Sequence, residues 1–191
     1  MRNIVALIAI LLVSVSVFGC DNKATNTQQS QQKDTTPEIS LASNKLDFNT
    51  SDKSITANNN LVVAADRLKG EQAGSLLGKS EKVVASKLTK SPYSSLGKIF
   101  RISGRVYKVE ELPPSLGLKG SWGEILMLVG NPNSPLGATT VDFIYNGDIS
   151  QINSGQSITC SGYFVGTFDS PNAMGGTVEA VVLVGNSVKH L

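Results

Sequence analysis

A mostly β domain, built from five short strands closed into a small barrel and preceded by one or two short helices, is predicted for the C-terminal part of this 191-residue chain. Three observations predict it. From Gly97 onward apolar and polar residues alternate with the period of a strand. Breaks rich in Gly, Asn and Pro separate the alternating runs, in a chain with 18 glycines and only 17 % charged residues. Gly104 falls in the middle of the first run, where glycine marks a bulge or a sharp bend.

The chain opens with a different kind of segment. Arg2 supplies positive charge, Ile4–Phe18 carries none, and Ser14, Ser16 and Gly19 cluster at the far end. A charged start, a short apolar centre and small residues before a cleavage point predict a secretory signal peptide over residues 1–19. The apolar run is short for a stable membrane span, which needs about 20 residues.

Residues 20–60 read as a flexible tether. They include Gln28-Gln29-Ser30-Gln31-Gln32 and few large apolar residues, too few to offset the entropy of ordering. A coil of about 40 residues has an r.m.s. reach of roughly 35 Å. Residues 61–96 read as a short helical segment. Leu61–Lys69 is expected as one helix, with Asn60 to cap it and Gly70 to stop it. Ser80–Leu88 is expected as another, ended by Ser91-Pro92.

Residues 97–191 carry the barrel. The first strand is read as Ile99–Leu112, with Phe100, Ile102 and Val106 on one face and Arg101, Ser103, Arg105 and Tyr107 on the other. The second is Glu124–Val129, followed by a Gly130–Asn133 turn, and the third is Thr139–Tyr145. Asp148–Asn153 is a connector with room for one helical turn. The fourth strand is Ser157–Thr167, with Ile158, Cys160 and Phe164 inward, and the fifth is Thr177–Val184. Five strands, a bent first strand and a connector between the third and fourth suit the OB-fold, a partly open Greek-key barrel.

Two resemblances add to this reading. Val17-Phe18-Gly19-Cys20 resembles the lipobox of bacterial lipoproteins, although Phe18 is bulkier than the residue usual there. The resemblance implies cleavage after Gly19 and diacylglycerol on Cys20, hence a membrane anchor in the cell envelope. Asp21 resembles an inner-membrane retention signal; an outer-membrane or cell-surface site stays open. Gly97-Lys98-Ile99-Phe100-Arg101-Ile102-Ser103-Gly104-Arg105-Val106, with Ile158-Thr159-Cys160-Ser161-Gly162 later, looks like the tRNA-anticodon-like OB-fold family, many of whose members are lipoproteins. These motifs report bends and packing over roughly residues 80–185. The family name records a fold relationship and implies no tRNA binding.

No catalytic or metal-binding constellation emerges, and no cofactor is expected. The single histidine, His190, is beside the C-terminus. Cys160 reads as a small core residue. Glu110 and Glu111, adjacent on a strand, point to opposite faces. With 17 basic and 15 acidic residues the net charge is +2, too small for a long-range field.

The expected function is therefore a non-catalytic binding module. OB-folds bind on the open barrel face and in the loops joining strands 1–2 and 4–5. Those loops would be Pro113–Gly123, with Leu116, Leu118, Lys119 and Trp122, and Asp169–Gly176, with Pro171, Asn172 and Met174. Trp122, the only tryptophan, reads either as an interaction anchor or as a plug closing one barrel end. Arg101, Arg105, Tyr107 and Tyr163 could form a basic and aromatic outer patch, or a solvated strand face. The expected partners are the membrane, through lipid on Cys20, and an envelope protein or small polar ligand. Nucleic acid is disfavoured for an envelope protein. Two further roles stand beside these: a structural or protective lipoprotein, such as one that blocks phage from entering, and an oligosaccharide or single-strand nucleic-acid binder.

Overall fold

Five long strands close into a ring in the computed structural model, which describes residues 47–113, 118, 120–130, 138–171 and 176–191. The signal segment, Cys20 and Asp21 lie outside the described residues.

Among the described residues, four short helices and one short strand precede the barrel: α1 (Ile55–Asn58), α2 (Asn60–Leu68), α3 (Leu76–Lys79), β1 (Glu81–Lys82) and α4 (Ala85–Lys90). The barrel strands are β2 (Ile99–Glu111), β3 (Trp122–Val129), β4 (Thr139–Asn146), β5 (Ser157–Pro171) and β6 (Thr177–His190). Their order is β2-β3-β4-β6-β5, and β2 pairs again with β5 to close the ring. Only the β4–β6 pair within the ring is parallel. This connectivity is that of the OB-fold.

The first strand joins both sides as its bend predicts. Ile99–Arg105 pairs with β5, and Arg105–Glu111 pairs with β3. Gly104 stands at the crossover, where a Cβ would lie 2.9 Å from a Val129 methyl and 3.0 Å from the Leu128 carbonyl oxygen. The alternation expected for this strand holds: Phe100, Ile102 and Val106 point into the barrel with Ile125, Met127, Val141, Phe143, Ile158, Cys160, Phe164, Val181 and Leu183. Burying each such side chain contributes about 1.5–3 kcal/mol.

A second apolar cluster lies outside the ring. Trp122, Ile144, Val182, Val184, Tyr163 and Val165 face outward from β3, β4, β6 and β5. Ala64, Ala65 and Leu68 of α2, with Leu76 of α3, cover them. Thus α2 packs on the barrel wall, while Ala85 and Leu88 of α4 join the inner core. Asn60–Leu68 matches the first expected helix closely. The second expectation is corrected: Glu81–Lys82 is a strand parallel to β2, and the helix begins only at Ala85. The connector between β4 and β5 holds turns and no helix, with Ile149 and Ile152 packed into the core.

The reading of residues 47–60 as tether is also corrected, because this stretch belongs to the compact unit Asp47–Leu191. The reason lies in β5. Between Phe164 and Gly166 the strand carries one residue more than its partner, so Val165 bulges from the ladder. Its carbonyl accepts from Asn58 Nδ2 at 2.8 Å and from Asn60 Nδ2 at 3.3 Å. Asn58 Oδ1 in turn accepts the Asn60 amide at 2.9 Å. Two buried asparagines thus satisfy a buried backbone oxygen, as burial demands. Strands β5 and β6 also run beyond their expected ends, to Pro171 and His190, and pair over nearly their whole length.

Candidate ligand-binding face

A second bulge shapes the outer face of β2. Val106 faces Met127 and Lys108 faces Leu126, so Tyr107 is the extra residue. Val106 and Val109 both pack into the core, and between them Tyr107 and Lys108 both turn outward. Tyr107 is 67 % exposed. Its carbonyl accepts the Ser154 hydroxyl at 2.9 Å, which fixes the bulge from the β4–β5 connector.

Cross-strand register then places the neighbours. Arg105, exposed, faces Leu128, which is 41 % exposed, and Leu128 faces Thr140. The next row holds Lys108, Leu126 and Asp142, and the next Glu110, Glu124 and Ile144. One outer surface therefore presents an aromatic ring, a guanidinium and two leucines beside a charged network. Lys108 Nζ bonds Glu110 Oε2 at 2.6 Å.

Asp142 lies at the buried edge of this network, between Leu126 and Val182. It is only 4 % exposed, and among the described residues its Oδ1 has no hydrogen-bond partner. Burial pushes its carboxyl well above the usual range, and the Glu124 carboxylate beside it pushes the same way. Asp142 thus holds its proton more tightly than an exposed carboxyl does, and it is hydrogen-bonded to Glu124.

The expected site residues divide. Arg101, Arg105 and Tyr107 line the outer face of β2 as read from the alternation, with Arg101 half-exposed. Tyr163 does not join them. It is 8 % exposed, covered by Phe48 with ring centroids 5.6 Å apart, and belongs to the second cluster. Trp122 is no exposed anchor either: at 6 % exposure it packs with Ile144 beneath the helical layer. Its plug reading is also displaced, since the ring faces outward from β3 into the second cluster and not into the barrel. Leu118 is half-buried against that cluster. Leu116, Lys119, Asn172, Met174 and the Pro171 side chain lie outside the described residues.

Leu126, Leu128, Lys108, Glu124 and Asp142 were not singled out from the sequence. Asp142 carried a signal, as the lone charge in Val141-Asp142-Phe143-Ile144-Tyr145. Cys160 is fully buried, and burial pushes its thiol up to about 12, so it stays protonated. His190 lies exposed at the end of β6. Among the described residues no cluster of three or more His, Cys, Asp or Glu is arranged to hold a metal ion. No helix among them is long and apolar enough to cross a membrane.

No protein-family model matches the chain, and no curated protein does. Among solved structures it is similar to the mitochondrial single-stranded DNA-binding protein Rim1 from S. cerevisiae, at 9 % identity and a TM-score of 0.34, covering 50 % of this chain and 95 % of that one.

Proposed function

We propose that this chain is a non-catalytic binding module of the bacterial envelope, carried on a membrane by lipid on Cys20, and that its partner is an envelope protein that seats on Tyr107, Arg105 and Leu128. The bulge at Tyr107 carries this reading. A bulge interrupts the ladder, and here it turns a two-thirds exposed aromatic ring outward beside an exposed arginine and leucine. Tyr and Arg are the side chains that supply most binding energy in protein interfaces. The rigid strands on either side hold them with little entropy left to lose on binding.

The anchor reading rests on the sequence from Arg2 to Cys20. Its test is Cys20→Ser followed by fractionation: the mature chain should leave the membrane, or the precursor should remain uncut. A cleaved product that still sediments with membranes counts against it. For the binding face, a photo-reactive phenylalanine analogue replaces Tyr107 in intact cells. One dominant protein adduct, lost on Arg105→Ala, supports the reading. A glycan or small-molecule adduct, or no adduct at all, rejects a protein partner on this face.

A further inference from the structure

A second outer surface lies on the other half of the ring, where β1, β2, β5 and β6 run side by side. Register sets its rows. Lys82 on β1, Arg101 on β2, Ser161 on β5 and Ser187 on β6 form one row. Ser103, Thr159 and Lys189 form the next, and Ser103 and Thr159 share a hydrogen bond of 2.7 Å between their hydroxyls. Arg105 and Ser157 form the third. Lys82, Arg105 and Lys189 are exposed and Arg101 half-exposed.

Ser103 and Ser157 are exposed among these four cations, whereas Thr159, Ser161 and Ser187 are buried, Ser161 with its hydroxyl 3.2 Å from that of Ser80. Elsewhere Lys53, Lys69, Lys79 and Lys108 pair with Glu179, Asp66, Glu71 and Glu110, and Arg67 pairs with Asp47. Among the described residues none of the four strip cations has a carboxylate partner within 4.0 Å. Strand spacing puts Arg101 and Lys189 about 12 Å apart at the backbone. The charge is thus spread across the face and not gathered at one point.

The position of this strip decides among polyanions. The chain runs into the compact unit at Asp47–Phe48, and Phe48 lies on Tyr163. Tyr163 faces Ile99, two residues before Arg101, so Phe48 occupies the row next to the cationic strip. A chain from Cys20 to Asp47 extends at most about 95 Å. The compact unit therefore begins beside the cationic strip, and lipid on Cys20 would keep the strip within that reach of a bilayer.

We infer that the Lys82–Arg101–Lys189 strip is a membrane-docking surface that seats on anionic lipid headgroups. The inference rests on the reading of Cys20 as the anchored residue for its orientation, and on the strip alone for its chemistry. The two acyl chains of a diacylglycerol on Cys20 would supply the anchor, and a basic patch adds electrostatic attraction to anionic headgroups that seats the unit on the surface. Each Lys or Arg at an anionic surface contributes about a fivefold gain in affinity. With Lys82, Arg101 and Lys189 seated, Arg105 and Tyr107 at the far row remain free for a partner.

The test uses the unlipidated chain from residue 20 with Cys20→Ser, so that binding reports the strip and not the anchor. It is mixed with vesicles of phosphatidylcholine alone, or with phosphatidylglycerol added, and co-sedimentation is measured. Binding is expected only to the phosphatidylglycerol vesicles and should fade as salt rises. Lys82→Gln with Lys189→Gln should weaken it about 30-fold with an unchanged thermal melt, and Arg101→Gln about fivefold. Equal partition to both vesicles, or binding indifferent to these substitutions, overturns the inference. So does oligo-dT binding that strips the protein from vesicles, which would assign the strip to nucleic acid. Mass spectrometry of the cellular protein separates the two readings: no lipid on Cys20 with vesicle binding intact removes the anchor and leaves the strip.

Discussion

The Phe48 and Tyr163 rings lie 5.6 Å apart and tilted by 35°, with the Arg67 guanidinium 4.6 Å from the centre of the Phe48 ring. This stack fastens the start of the compact unit to the barrel wall. Phe48→Ala should cost about 2 kcal/mol, from lost apolar burial and the aromatic and cation contacts. Thermal unfolding followed by circular dichroism should shift down by roughly 6 °C. Amide exchange should rise first in residues 47–60, and a uniform rise across the barrel would contradict this assignment.

Gly162 and Gly185 meet where β5 and β6 cross. A Cβ on Gly162 would lie 2.7 Å from the Val184 carbonyl oxygen, and one on Gly185 would overlap the Ser161 carbonyl oxygen. Backbone cannot retreat as a side chain can, so Gly185→Ala should cost more than about 3 kcal/mol. Gly78→Ala is the control: nothing lies within 4 Å, the site is helical, and the change should be neutral or stabilise by up to about 1 kcal/mol. Urea melts of the two variants check the contrast.

Asp142 makes stability depend on pH with a definite sign. Its folded carboxyl holds a proton well above the range in which the unfolded one ionises, at about 3.9. The folded state thus binds more protons, and stability falls as pH rises from about 4 through the raised value. Asp142→Asn keeps a donor toward Glu124 and removes the ionisation. Unfolding free energies should show the variant about 1–3 kcal/mol more stable than the parent at mildly alkaline pH, with no gain at pH 4. Equal slopes for the two proteins would reject this role.

Cys160, at 0 % exposure and with its thiol pushed up to about 12, should resist maleimide at pH 8 in the folded protein. It should react within the normal time of a free thiol once guanidinium unfolds the barrel. Fast labelling under native conditions would mean the inner core opens readily.

The barrel was legible because its inner face is uniform. Phe100, Ile102 and Val106, and Ile158 and Cys160, recur with period two beside polar neighbours such as Arg101, Ser103, Arg105, Thr159 and Ser161. The ends of β5 and β6 were not, since Ser170-Pro171 and Gly185-Asn186 look like strand stops, and Gly185-Asn186 here serves close approach and a bulge. Residues 47–60 look like linker because Asn58 and Asn60 are polar; their value depends on one distant carbonyl, that of Val165. Tyr163 and Trp122 were misplaced for a related reason. Alternation tells which residues leave the barrel interior, but not that α2 then covers part of the exterior. The bulge at Tyr107 shifts the period by one and leaves no local mark in the sequence.

Ring closure also sets a timetable. The hairpins β2–β3, β3–β4 and β5–β6 join neighbours in sequence, whereas β2–β5 brings together residues such as Ile99 and Tyr163, more than sixty positions apart. Loop entropy must be spent before such pairs return anything, so they form late and mixed topologies of this kind fold in milliseconds to seconds. Until then the β5 edge from Ser157 to Tyr163 is open, and the newly made chain passes through an interval in which it can still be held unfolded.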